Sequence, residues 1–348
     1  MNDSNLISNT TGNWRILCLG LNPALQNIQI LDSLNLGGVN RSKDQTIATG
    51  GKVPINKDTR IATTLIDIST NCTSEIVGNS GIISQDESNG FVICLNDILS
   101  QLKDSDSNGQ RAIAVCGSFI PGLDPLVVSN VLKSAFAFEE SEKSILFIDS
   151  AENQFTSDII GSSLKKLPII LKINAKELSN LRETLTCEQQ DSENILLETD
   201  STFISLDQKA KDICKDICQI SNYNSVKYIA VTDGPNSAVF FDSESKLYSI
   251  IKIPELEPLI SNNELFSNNG IINPIGAGDT CSAVFLNLLL DNSCSPLDAF
   301  LSGLSAASAS CLIAAPNSIF DHDSMKIILG LITHKTVFLP SSTCTSYI

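Results

Sequence analysis

Asn273-Pro-Ile-Gly-Ala-Gly-Asp-Thr280 runs straight into the apolar stretch Cys281–Leu290, so a glycine turn and a carboxylate stand at the mouth of a buried helix. Glycines at 276 and 278 let the chain bend without Cβ clashes. The N–H groups of Gly276, Ala277 and Gly278 precede or open the helix and are expected to lack intrahelical acceptors. Such donors, with the helix dipole behind them, form an anion hole suited to a phosphoryl group whose charge redistributes during transfer. A carboxylate set against an anion hole repels the anion unless it has another task, and Asp279 could accept the proton of an attacking hydroxyl. A purely structural arrangement, an Asp capping a helix after a glycine turn, uses the same residues.

The elements that must position this turn alternate along the chain. Strand-like runs at 15–21, 111–117, 145–149, 168–173 and 227–232 are separated by helix-like runs at 85–103, 124–139, 175–185 and 207–220. This is the rhythm of a parallel sheet wrapped by helices. The Thr- and Ile-rich pieces at 25–50 and 59–77 have no helical period and suit a small separate sheet. Residues 237–252 read as a hairpin, and 280–290, 296–314 and 321–332 as closing helices. Lys103–Arg111 and Cys187–Ser201 are polar and read as surface insertions.

Taken in chain order, several stretches resemble the PfkB (ribokinase-like) carbohydrate kinases. Gly276-Ala-Gly-Asp279 before an apolar helix is similar to their C-terminal signature. Leu21-Asn-Pro-Ala-Leu-Gln26 resembles the Asn-Pro-Ala opening of the branch containing 1-phosphofructokinase and tagatose-6-phosphate kinase. Gly50-Gly51-Lys52 looks like the start of the glycine motif, and Thr59-Arg60 and Ser74-Glu75 like the paired lid strands. Cys116-Gly-Ser-Phe-Ile-Pro-Gly122, Asn174-Ala-Lys-Glu177 and Thr232-Asp-Gly234 resemble the family's Ser-Gly-Ser turn, Asn-x-x-Glu motif and nucleotide loop.

The resemblance implies a ribokinase-like three-layer α/β/α sandwich with a small β-sheet lid. It implies a polar tail over 1–13, a kinase domain over 14–335 with lid strands within about 25–50 and 59–77, and a tail over 336–348. It also implies transfer of a phosphoryl group from ATP to a sugar or sugar phosphate, hexose phosphates foremost. Asp279 would be the general base and the 276–278 amides the anion hole. Asn174 and Glu177 would organise Mg²⁺ through water, since magnesium keeps part of its hydration shell. The same pair could instead close a capping box on the following helix. Thr232, Asp233 and Gly234 would border the nucleotide. Gln26, Arg41, Gly50, Gly51, Lys52, Arg60, Gly117 and Ser118 would face the substrate, Arg60 offering its fork of donors to a phosphate or carboxylate. Lys43 reads as a solvated surface charge, and Lys172 is a further cation in a motif-bearing stretch. Lid strands that pair between subunits would give a homodimer.

Two departures from the family pattern stand out. Only the six residues Val53-Pro-Ile-Asn-Lys-Asp58 separate Lys52 from Thr59. A crossover unit of roughly thirty residues does not fit there. The missing block would leave apolar faces uncovered on its neighbours. Gln26 stands where the branch normally has Asp, and its amide can still bind hydroxyls, with less charge. These departures also fit a silent sugar-phosphate-binding or scaffold protein, or a gene model lacking an exon.

Composition is compatible with this reading. With 348 residues and 42 % hydrophobic content the chain can bury a full α/β core. A formal charge of −16 argues against a nucleic-acid surface, whose affinity comes from clustered Lys and Arg. No apolar run is long enough to span a bilayer and the first thirteen residues lack a secretory pattern, so a cytoplasmic location without membrane contact is expected. Eleven cysteines without a Cys-x-x-Cys pair suggest reduced core thiols, and Cys214 and Cys218 suggest packing on one helix face.

Overall fold

A computed structural model of the chain describes residues 14–22, 24–35, 40–50, 60–70, 72–104, 110–136, 144–162, 167–186, 206–221, 226–262, 272–313 and 319–338. In chain order these form β1 (Trp14–Gly20), β2 (Ala24–Leu31), β3 (Asp44–Gly50), β4 (Arg60–Asp67), β5 (Cys72–Val77), α1 (Gln85–Asp104), β6 (Gln110–Cys116), α2 (Pro125–Phe136), β7 (Ser144–Asp149), α3 (Asn153–Ile160) and β8 (Ile169–Asn174). They continue as α4 (Ala175–Thr186), α5 (Gln208–Ile220), β9 (Val226–Thr232), β10 (Ala238–Asp242), β11 (Leu247–Lys252), α6 (Glu257–Asn262), α7 (Ala277–Asp291), α8 (Pro296–Cys311), α9 (His322–Leu331) and β12 (Thr333–Phe338). The expected polar tail over 1–13 and the insertion at Cys187–Ser201 lie outside the described residues.

An eight-stranded sheet runs in the order β1-β6-β7-β8-β9-β10-β11-β12, parallel from β1 to β9 and antiparallel beyond. Its central strands β6 to β11 are largely apolar because both faces are covered, and alternate residues feed different cores. In β6, Ile113 and Val115 join a core with Leu95 and Leu99 of α1, Val128 and Leu132 of α2 and Ile213 and Ile217 of α5. Ala112 and Ala114 face the other way, toward Phe285 and Leu289 of α7 and Phe300 and Leu304 of α8. That is the expected three-layer sandwich. A four-stranded sheet in the order β3-β2-β4-β5 matches the expected small lid.

Helix α5 shows why local sequence chooses these elements. Ala210, Ile213, Cys214, Ile217 and Ile220 recur at three- and four-residue spacing and are all buried, while the Asp207 carboxylate accepts from the Ala210 amide at 2.8 Å to cap the first turn. Helices α7 and α8 approach closely at Gly303. A Cβ there would lie 2.7 Å from the carbonyl oxygen of Cys281 and 3.2 Å from Cβ of Phe285. Gly303→Ala is therefore expected to lower stability by about 1–3 kcal/mol through overpacking, read as an earlier urea midpoint with an unchanged slope.

Some expectations need correction. The eight-residue α3 and six-residue α6 are too short to declare a helical period, and neither was expected. Strand β12 continues to Phe338, into the stretch expected as a tail from 336; its single buried side chain, Val337, gives little alternation to read. Cys18, Cys72 and Cys94 are exposed rather than core thiols, whereas Cys214, Cys281 and Cys311 are buried. Among the described residues no helix is long and apolar enough to cross a membrane.

One apolar face of the large sheet is left open at β1. Strand β1 ends the large sheet, and among the described residues no strand pairs with its outer edge. Ile16 pairs in register with Ala112 and Cys18 with Ala114, which puts both on the α7–α8 face; yet Ile16 is 46 % exposed and Cys18 is also exposed. The opposite face of β1 is covered, with Leu19 buried in the α1 core.

Candidate active site

Parallel strands deliver their C-terminal ends to one edge of the sheet, the usual place for a site in an open α/β fold. Register aligns Gly20 with Cys116 and Cys116 with Asp149, and Asn174 with Thr232. The Gly117 amide donates to the Asp149 carbonyl at 2.8 Å, and the Ser150 hydroxyl donates to the Gly117 carbonyl at 2.6 Å, fixing two neighbouring strand ends together.

The turn before α7 is held from below. Asn273 is buried, its amide donates to the Cys311 carbonyl at 2.8 Å, and its side-chain oxygen accepts from the Ile275 amide at 3.2 Å. Gly276 caps α7 in the left-handed region, at φ 76°, a conformation costly for any residue with a Cβ. Its carbonyl accepts from both the amide and the hydroxyl of Thr280, each at 2.9 Å. The Ala277 amide is not free as expected, because it closes a tight turn by donating to the Pro274 carbonyl at 3.2 Å. The amides of Gly276, Gly278 and Asp279 have no acceptor among the described residues, so these three, rather than the 276–278 set, are the donors left for a bound anion.

Beside that turn lies an ion pair that sequence reading did not assemble. Lys172 of β8 places its ammonium 3.2 Å from both carboxylate oxygens of Asp149 at the end of β7, with side-chain exposures of only 5 % and 13 %. Ser282, one turn into α7, donates to Asp149 Oδ2 at 2.5 Å. The ammonium also lies 3.4 Å from where a Cβ on Gly278 would sit, directly against the turn that opens α7. Burial works against the charge on Lys172, but the attraction of Asp149 outweighs it, and the Lys172 pKa is raised. Asp279 reaches solvent, yet desolvation on its inner side and then the Asp149 charge raise its pKa, against the pull of Lys172. Burial, reinforced by Asp149, pushes the Cys116 thiol up to about 12, and burial does the same for Cys281.

The remaining expected residues fall into three groups. Asn174 and Glu177 form the reciprocal capping box: Glu177 Oε2 accepts from the Asn174 amide and Asn174 Oδ1 from the Glu177 amide, each at 2.9 Å. Thr232, Asp233 and Gly234 form the turn after β9, where the Asn236 amide group donates to Asp233 Oδ2 at 2.9 Å and Lys209 approaches the same oxygen at 3.8 Å. A second cluster gathers at the ends of β1 and β6. The Asn22 amide group donates to the Ser118 hydroxyl at 3.1 Å, its oxygen accepts from Ser80 at 2.8 Å, and its carbonyl accepts from Arg60 Nη2 at 3.2 Å. The Arg60 Nε is buried without a hydrogen-bond partner.

Three expected substrate residues are not gathered there. Gln26 is buried in the small sheet with its amide donating to Thr64 Oγ1 at 2.6 Å. Arg41 is exposed before β3, and Gly50 ends β3 in register with Ala24. Gly51 and Lys52 lie outside the described residues. Lys43 is an exposed surface charge as expected, 3.2 Å from Asp32. Asp149 and Ser282 were missed. For Asp149 a signal existed, a lone acid closing the apolar run Ile145–Ile148; for Ser282 there was none, since it sits inside an apolar helix.

This is the three-layer α/β fold with a small four-stranded sheet that sugar kinases of the ribokinase-like type adopt. Among solved structures the chain is similar to phosphofructokinase-2 from Escherichia coli in complex with substrates and products, at 17 % identity over 91 % of this chain and 99 % of that one, with a TM-score of 0.64. It is likewise similar to a possible 1-phosphofructokinase from Thermotoga maritima, at 13 % identity over 92 % and 99 % of the two chains and a TM-score of 0.62. A putative phosphofructokinase from Staphylococcus aureus follows at 12 % identity over 94 % and 100 % of the chains and a TM-score of 0.53. No family model matches the sequence, and no curated protein does.

Proposed function

We propose that the chain transfers the γ-phosphoryl group of ATP to a hydroxyl of a sugar phosphate, a hexose phosphate foremost. One juxtaposition carries this reading: free amides at Gly276, Gly278 and Asp279, the buried Lys172 ammonium against Gly278, and the Asp279 carboxylate on the same turn. The amides and the ammonium stabilise the equatorial oxygens of the migrating group. Asp279 takes the proton of the attacking hydroxyl, and its raised pKa makes it a better base than an ordinary carboxylate. Arg60 has an unused buried Nε beside Asn22 and Ser118, which suits it to hold the phosphate of the acceptor. A relative of the same fold is known in complex with fructose-6-phosphate, which supports this acceptor class.

The donor set fits magnesium only through water. Among the described residues no group of three or more acidic, His or Cys side chains could ligate an ion, and the capping box occupies Asn174 Oδ1 and one oxygen of Glu177. The second Glu177 oxygen remains to accept from an ion's hydration shell, and the ion would neutralise phosphate charge. Thr232–Gly234 would border the nucleotide. Exposed Ile61 on β4 and Ile76 and Val77 on the neighbouring edge strand β5 support a homodimer formed there.

A silent binding protein is the second reading. It is favoured by Gln26, whose amide is already committed to Thr64, and by the uncovered Ile16. ADP release by the purified chain with MgATP and fructose 6-phosphate, fructose 1-phosphate or free hexoses separates the two. Acceptor-dependent ADP release is expected; its absence with every acceptor, alongside sugar-phosphate binding by calorimetry, would establish the silent reading.

A further inference from the structure

Ser282 belongs to no motif, yet its hydroxyl is placed as if it had one task. The side chain is buried, and Oγ lies 2.5 Å from Asp149 Oδ2 and 3.1 Å from the Gly278 carbonyl. A serine within a helix ordinarily returns its proton to the carbonyl four residues back. Here the single hydroxyl proton goes to the nearer and charged acceptor, which makes the stronger bond. Asp149 is thus held from two sides, by Ser282 on α7 and by Lys172 on β8. Since Lys172 Nζ borders Gly278, the contacts close a ring that begins and ends on the first turns of α7.

We infer that Ser282 is a positioning residue: it fixes the orientation of Asp149 and, through Asp149, keeps the Lys172 ammonium beside the Gly276 and Gly278 amides. Without that proton donor the carboxylate and its ammonium form a pair anchored only to the strands, free to turn away from α7. The kinetic consequence rests on the phosphotransfer reading; the geometric consequence does not. A shift of about 1 Å in a group that stabilises the migrating phosphoryl is enough to cost up to about a hundredfold in rate.

Ser282→Ala is expected to lower kcat about ten- to a hundredfold while KM for ATP and acceptor stays within about twofold, because the loss falls on the transition state. Ser282→Thr keeps the donor and should restore kcat, whereas Ser282→Val, of the same shape without the hydroxyl, should reproduce the loss. A merely structural serine would move the melting temperature of all three variants without dividing Thr from Val in kcat. Unchanged kcat in both the Ala and Val variants would overturn the inference. Crystal structures decide it independently of turnover: in Ser282→Ala, Asp149 should rotate away from α7 and Lys172 Nζ should leave Gly278. Superposition of both side chains on the unsubstituted protein would reject the role. If the unsubstituted chain released no ADP, phosphotransfer would fail while that crystallographic comparison still judged the positioning.

Discussion

Asp279→Asn is expected to reduce turnover by about 10²–10⁴-fold, the range general acid–base catalysis supplies, while ATP binding changes little. The amide has nearly the same shape and leaves the backbone donors of the turn in place, so only proton acceptance is removed. Calorimetric titration with a nucleotide and steady-state ADP release separate the two effects; undiminished turnover would reject the general-base role. The pH dependence has a definite sign. Partial desolvation, then Asp149, raises the Asp279 pKa, so kcat/KM should fall on the acid side as this carboxylate takes a proton, with a midpoint above the ordinary value of about 3.9. The same shift acts on stability. A folded-state pKa above the unfolded one means that the ionised carboxylate opposes folding at neutral pH, an effect relieved as pH falls through the folded pKa. The Asn variant escapes that cost, and its melting temperature should equal or exceed that of the unsubstituted chain.

Lys172→Met should be damaging in two separable ways. It removes the buried cation beside Gly278, and loss of one preorganised donor to a developing anion is expected to lower kcat about 10²–10³-fold. It also strands the nearly buried Asp149 carboxylate, with an expected stability loss of about 3–5 kcal/mol. Adding Asp149→Asn neutralises the orphaned charge. The double variant should therefore recover most of the lost stability in urea titration but none of the lost rate. Recovery of rate in the double variant would show that Lys172 acts only as the carboxylate's structural partner.

The fold was legible wherever a run was long and its pattern had one meaning. The apolar strands β6, β8 and β9 and the amphipathic α5 declare themselves because burial on both faces, or on one helical stripe, leaves a clear period. Helix α3 was illegible because eight residues carry too little helical period, and strand β12 because only Val337 is buried and nothing alternates. The candidate site divides along the same line. Gly276 and Asp279 sit on one local turn, and local chemistry sufficed to single them out. The Ala277 amide was misjudged because its acceptor, the Pro274 carbonyl, depends on how tightly that turn closes. Asp149, Lys172 and Ser282 lie on β7, β8 and α7, and only the parallel register and the packing of α7 on the sheet bring them within hydrogen-bond distance.

The outer edge of β1, unpaired among the described residues, has a colloidal consequence. An unpaired strand edge bearing an exposed isoleucine is a template for edge-to-edge association, and proteins commonly suppress it by charge. Here one broad defence is mutual repulsion between molecules carrying a formal charge of −16. That repulsion vanishes as the solution approaches the isoelectric point near 4.5, so acidification should turn the same edge from a tolerated feature into the seed of precipitation.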